Sequence, residues 1–293
     1  MSKIHSPKER EENARESSAV EGRKAEKEVE SRVRLGALAI FEIVRREGAE
    51  ELLRPLSSLW WSGVAAGLAL AFSAAGASMF HAALSDSGAR DLLVPAGYVV
   101  GFMIVVFGRL QLFTENTIAA ILPLAVHFSV DNWHRVARLW STVFAANIAG
   151  AIVASLVFSF TPLLQPEVLV ALVEISEKAV HHPWGTTFVR AIPAGFLIAA
   201  LVWMMPSAKG SEFLVTASLI YVLVLGEFTH VILGATEMFT LVFIGELQLP
   251  GALWSFLVPA LLGNIVGGAA LFSMLAYAQI RDEMRTDSHD KTV

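Results

Sequence analysis

His230, Thr114, Glu115, Arg109 and Glu237 are polar or ionisable side chains placed where the chain has little polar company. His230 lies in GEFTHVILGATE, and Thr114 lies in GRLQLFTENT; each string interrupts a long apolar run. Imidazole changes charge near neutral pH, so His230 could attract an anion as a hydrogen-bond donor or supply it with a proton. A lone histidine among apolar residues can also be a satisfied core side chain. Its position in an expected helix break at membrane depth argues for function. Thr114 and Asn264 could hydrogen-bond a solute or the imidazole, or cap helix ends. Leu112, Phe113, Val231 and Leu233 would narrow a passage beside these groups, or pack as ordinary core. Arg109, Glu115, Arg190, Glu227 and Glu237 fall within or near apolar segments. One reading makes them buried ion pairs that clamp broken helices, with Glu115 and Glu237 paired to Arg109 or Arg190 or capping helix N-termini. The other has Arg109 lining a vestibule that concentrates anions.

The elements carrying these residues are too long to be simple spans. Residues 92–126 are apolar apart from the central polar knot, and as one straight helix would run ~52 Å at ~1.5 Å per residue. A bilayer core is ~30 Å thick, and a charge at its centre costs roughly 2.5–3.5 kcal/mol. The economical solution is a broken helix, since irregular backbone is tolerated at membrane depth where it lines a cavity. Residues 213–245, roughly 50 Å if continuous, pose the same problem with their own polar interruption. Two such breaks predict a transport site.

The whole chain agrees with a polytopic, all-α membrane protein: 55% of its 293 residues are hydrophobic and the mean hydropathy is +0.58. The net charge of −5 hides a division, because residues 1–55 are crowded with Glu, Lys and Arg. Residues 1–32 are expected to be a disordered or frayed leader without the apolar core of a signal peptide. Residues 33–54 should form an amphipathic helix on the membrane or against the bundle mouth. Residues 59–278 then divide into six transmembrane helices, unbroken near 59–80, 139–160, 186–205 and 252–278 and broken in the second and fifth. A short amphipathic helix is expected within 161–184, and 279–293 form a charged tail.

The order span, broken span, span occurs twice, which makes two inverted three-helix repeats. Short echoes accompany it: Thr114-Glu115 with Thr236-Glu237, and Asn147-Ile-Ala-Gly150 with Asn264-Ile-Val-Gly267. Basic residues in the short loops put both termini in the cytoplasm. Several chemistries find no support. No cysteine is present, His181-His182 has no third ligand at metal spacing, and no phosphate-cradling loop or HExxH occurs. No metal, cofactor, enzymatic activity or nucleic-acid partner is therefore expected.

The motifs, in order, resemble those of the formate/nitrite transporter family. Leu112-Phe113-Thr114 matches its first break; Gly226, Phe228 and His230 match its second, with the pore histidine; Pro259, Gly263-Asn264 and Gly267-Gly268 match its sixth span. The loop Arg-Leu-Gln-Leu-Phe-Thr-Glu-Asn is most similar to that of the YfdC-like inner-membrane branch. The likeness covers roughly residues 59–278. It implies an aquaporin-like six-span bundle assembled as a homopentamer in the bacterial inner membrane, each subunit with its own pore for small monovalent weak-acid anions. It also implies that His230 protonates such an anion in an apolar constriction, where full ionisation is costly. The chain departs from the family at Gln111, Glu115 and Thr229, and at Ala194-Gly195, where the family has Cys-Asn. A neutral-solute facilitator and a non-transporting protein with a plugged pore are the alternatives.

Overall fold

The computed structural model describes residues 35–84 and 88–290, the last nine by backbone alone; the leader expected over 1–32 lies outside the described residues. Regular structure within them is helical throughout. Helix α1 (Ala37–Glu51) precedes α2 (Leu56–Ala83), α3 (Gly88–Gly97) and α4 (Val99–Phe107). After a break come α5 (Phe113–Val126), α6 (Val130–Phe160), α7 (Pro166–Val180), α8 (Trp184–Met204) and α9 (Glu212–Leu225). A second break separates α9 from α10 (Val231–Phe243). The last segment passes through α11 (Leu249–Ala252), α12 (Val258–Ile265) and α13 (Ser273–Asp290), joined by π-helical turns Leu253–Leu257 and Val266–Phe272.

Among the described residues, five helical segments are long and apolar enough to cross a bilayer: Leu56–Ala83, Gly88–Phe107, Val130–Phe160, Trp184–Ser207 and Leu249–Arg281. The interrupted segments supply three shorter apolar helices, α5, α9 and α10. At 13 or 14 residues each is ~20 Å long and falls short of the bilayer core. The first break differs from expectation in one respect. The helix before it is not a half-span but runs 20 residues from Gly88, bending at Tyr98 beyond Pro95. The third long helix starts at Val130, earlier than the pattern suggests, because Ser129 caps it by accepting a hydrogen bond from the Asn132 amide.

Small residues let the long helices touch backbone to backbone, as in membrane bundles generally. Helix α2 meets α6 at Gly67 and Gly150, where any Cβ would collide with carbonyl oxygens of the facing helix. Helix α8 meets the last segment at Gly195 and Gly267 in the same way. The sites are built on this rigid frame. Helix α1 lies against the bundle rather than apart from it. Phe41 and Val44 are buried with Ile118 and Leu122 of α5, Ala199 of α8 and Ile280 of α13, and Gly48 abuts the backbone of Ala119.

Candidate functional site

Each break is built by the same sequence of turns. Helix α4 ends with the Leu110 amide bonded to the Val105 carbonyl and the Arg109 amide bonded to that of Val106. Helix α9 ends with Phe228 bonded to Leu223 and Glu227 to Val224. These paired bonds form the Schellman stop, which needs a left-handed residue just past the helix and usually has glycine there. Here charged residues occupy the position, Arg109 at φ 49° and Glu227 at φ 52°. The chain then extends through Leu112 and His230, which are the N-cap residues of α5 and α10.

Two buried asparagines hold the re-entrant ends. Asn147 Oδ1 accepts from the first amide of α5, Phe113, at 2.9 Å, and its Nδ2 donates to the carbonyls of Gly63 and Gln111 at 2.8 Å each. Asn264 Oδ1 accepts from the first amide of α10, Val231, at 2.9 Å, and its Nδ2 donates to Ala191 and Thr229 at 2.7 and 2.9 Å. Asn264 is thus a helix-end clamp. Asn147 is its counterpart, a role that the Asn-Ile-x-Gly echo could have revealed.

The two half-helices meet through side chains. His230 Nε2 lies 2.8 Å from Thr114 Oγ1, with Thr114 fully buried and His230 2% exposed. The Leu233 amide donates to His230 Nδ1 at 3.2 Å. An Nδ1 that accepts leaves the ring proton on Nε2, so the neutral imidazole donates to the Thr114 hydroxyl. Phe102 packs edge-on to the ring, 5.1 Å between centroids. Both helix N-termini, the positive ends of their dipoles, therefore converge on one polar pair.

A cavity of about 380 Å³ reaches His230 from one mouth of the bundle. Its rim holds exposed Lys178 and Glu227, and its inner wall holds His230, Leu233, Tyr98 and Glu237. Glu227 accepts from Lys178 at 2.8 Å and from Arg190 at 2.9 Å. Arg190 also donates to His182 Nε2 at 3.0 Å. Burial, reinforced by the Arg190 charge, holds the His182 imidazole below its ordinary range.

The ion pairs expected of Glu115 and Glu237 with Arg109 or Arg190 do not form. Arg109, its side chain 79% exposed, reaches Glu47 of α1 at 3.0 Å; Arg190 turns to Glu227; Glu237 accepts from the Tyr98 hydroxyl at 2.8 Å. Glu115 is half-buried in the first turn of α5 and pairs with no cation among the described residues. The left-handed backbone at Arg109 aims its side chain outward, which explains the miss. Of the expected constriction residues, Leu233 lines the cavity. Leu112 and Val231 are fully buried outside its lining, and Phe113 packs edge-on against Phe144 at 5.2 Å and Trp140 at 6.0 Å. Phe228, named with the second-break motif, lines the cavity, and Tyr98 was missed. Tyr98 is one of only three tyrosines and the lone phenol in its apolar run, which was the available signal.

Two half-helices that start at chain breaks and meet on a buried histidine lie within an all-helical bundle whose long helices are of membrane-spanning length. The chain belongs to the formate/nitrite transporter family, whose profile matches residues 38–278. It is similar to the inner membrane protein YfdC of Escherichia coli (strain K12), 37% identical over 255 residues, which are 87% of this chain and 82% of that one. It is also similar to the formate channel BtFdhC of Bacillus thuringiensis, 25% identical over 192 residues, 64% of this chain and 73% of the relative. Two solved structures share the fold. An FNT family ion channel superposes with TM-score 0.72 at 17% identity, covering 82% of this chain and 98% of that one. A pentameric formate channel with formate bound superposes with TM-score 0.61 at 19% identity, covering 80% and 98%.

Proposed function

We propose that this protein is a channel or proton-linked transporter for small monovalent weak-acid anions of the formate and nitrite kind, with one pore in each subunit of a homopentamer. The observation that carries the reading is the Thr114–His230 contact at the convergence of two half-helix N-termini, at the inner end of a cavity. An anion entering from the rim would meet amide dipoles and an imidazole N–H instead of bulk water. Moving a bare charge farther, past Phe113 and Leu112, is costly in apolar surroundings. A doubly protonated His230 can give its Nε2 proton to an anion oxygen; the neutral acid moves on and the ring returns to its neutral form. That leaves the remaining proton on Nδ1, and the Leu233 amide regains its acceptor once this proton is lost and Nε2 is reprotonated.

The same reading places the protein in the bacterial inner membrane as six spans in two inverted repeats with both termini cytoplasmic. The similarity to an inner membrane protein and the paired asparagine clamps support that arrangement. A neutral-solute facilitator is the second reading, and one observation favours it: the buried ionisable group that shares the cavity with His230 is an acid, Glu237, not a base.

Proteoliposomes loaded with formate, nitrite, acetate, lactate or hydrosulfide, with and without a pH gradient, test the proposal. Formate or nitrite flux should follow the proton gradient and be lost in His230→Asn. Flux indifferent to both gradient and solute charge establishes the facilitator. Absence of flux from a folded oligomer leaves a non-transporting membrane protein.

A further inference from the structure

We propose that Glu237, hydrogen-bonded to Tyr98, is a charge-selecting residue of the vestibule that lets a monovalent anion through to His230 only while its carboxyl is protonated. The inference rests on the anion reading above and adds a residue to it. Glu237 sits on α10, two turns along from His230, and is 3% exposed. Its carboxyl accepts from Tyr98 Oη at 2.8 Å, across from the bend between α3 and α4. Tyr98, Glu237 and His230 all line the one cavity, so a solute approaching the histidine passes the acid.

Among the described residues, no cation is paired with Glu237 to cancel a negative charge. The rim cations Lys178, from α7, and Arg190, from α8, are both taken by Glu227. His182 is engaged by Arg190, and His81, at the end of α2, is bonded to Glu174 at 2.8 Å. Helix α3 adds Asp91 to the cavity, another acid. Helix α6 brings Ser155, which donates to the Thr236 carbonyl, and the π-turn Leu253–Leu257 brings Phe256; neither titrates. Tyr98 offers one neutral hydrogen bond and no charge. An ionised Glu237 would therefore face an incoming anion with unscreened like charge, in a space where screening by salt is weak. Its protonated form offers the anion an O–H donor instead. Of its two states, only the neutral one is compatible with anion passage.

The test compares formate flux in proteoliposomes at equal internal and external pH for wild type, Glu237→Gln, Glu237→Asp and Tyr98→Phe. Glutamine fixes the neutral state, so the ratio of its flux to that of wild type should rise about tenfold per pH unit above the carboxyl's midpoint, the slope of one titrating group. Glu237→Asp should keep the wild-type slope, and Tyr98→Phe should keep the slope with a displaced midpoint. Infrared difference spectra across the same titration should show a protonated-carboxyl band that disappears at the flux midpoint and is missing from Glu237→Gln. If wild type carries formate but the flux ratio stays constant with pH, this proposal falls and the anion reading stands. If wild type carries no anion at any pH, both fall. An ammonium flux that rises with pH and is lost in Glu237→Gln overturns the proposal by making the acid a cation site.

Discussion

Asn147 and Asn264 perform one operation twice. Each carboxamide accepts from the first amide of a half-helix and donates to two carbonyls, one in the break itself and one in a long helix at its side. Both are fully buried. A backbone that leaves its helix at membrane depth has no water to satisfy it, and one primary amide with an acceptor and two donors answers most of that demand. The two breaks are thus fixed from opposite halves of the chain by the same chemistry.

Removing either clamp should be severe. Asn147→Ala or Asn264→Ala leaves an amide and two carbonyls short of partners, and each buried unsatisfied group costs about 1–3 kcal/mol. Thermal unfolding of the detergent-purified protein should fall clearly for both. Asn→Asp should also be destabilised, because a carboxylate cannot donate to the two carbonyls. A melting temperature unchanged by Asn264→Ala would show that the second break holds without it.

The left-handed residues make a contrasting prediction. A non-glycine at positive φ costs roughly 1–2 kcal/mol. Arg109 recovers little of this, since its pair with Glu47 is solvent-exposed and such pairs are worth about 0–1 kcal/mol. Arg109→Gly should therefore melt at or above the wild-type temperature, whereas Arg109→Val should melt below it. Glu227→Gly relieves the same backbone cost but abandons Arg190 and Lys178, so its gain should be smaller than that of Arg109→Gly.

The breaks themselves were legible because their cause is one-dimensional. Residues 92–126 and 213–245 are too long for a bilayer and polar in the middle, and no packing arrangement changes that. The Asn-Ile-x-Gly echo likewise carried its meaning in the string, since asparagine and glycine serve the same clamp and the same close crossing in each half. Pairing between charged groups was not legible. Tyr98 and Glu237 stand 139 residues apart, and whether they meet depends on how two helices are rotated about their axes. Arg109 and Glu227 could not be assigned either, because their directions are set by a left-handed backbone that sequence normally announces with glycine.

Helix α1 carries a pH-dependent element outside the spans. Glu42 accepts from Arg45 at 2.7 Å and Arg46 at 2.6 Å, and the Arg45 hydrogen bond, the largest cause, draws its carboxyl down to about 2 from 4.5. A depressed carboxyl stabilises the helix fully above its unfolded value and loses that contribution as pH falls from about 4.5 toward 2. The carboxyl side chain is 36% exposed and screened by solvent, so the effect should be about 0.5 kcal/mol or less. Protease protection of α1 should decline through this acid window in wild type. Glu42→Gln should start lower and lose the slope, and a wild type with no change across the window would remove the ion pairs from the account of α1 docking.

The Thr114–His230 contact can be separated from simple packing by two substitutions of nearly equal size. Thr114→Val keeps the shape and removes the oxygen, leaving the imidazole Nε2–H buried without its acceptor at a cost of about 1–3 kcal/mol. Thr114→Ser keeps the oxygen and loses a methyl group. If the hydrogen bond is what joins the half-helices, valine should lower the melting temperature more than serine does. Nitrogen NMR of labelled histidine should find the Nε2-protonated neutral ring in wild type and serine, because the Leu233 amide occupies Nδ1 in both. In the valine variant the ring has reason to turn or to change tautomer, and its two nitrogen resonances should move accordingly. Equal melting temperatures with unmoved resonances would mean that the threonine is a packing residue and that the imidazole is oriented from the Leu233 side alone.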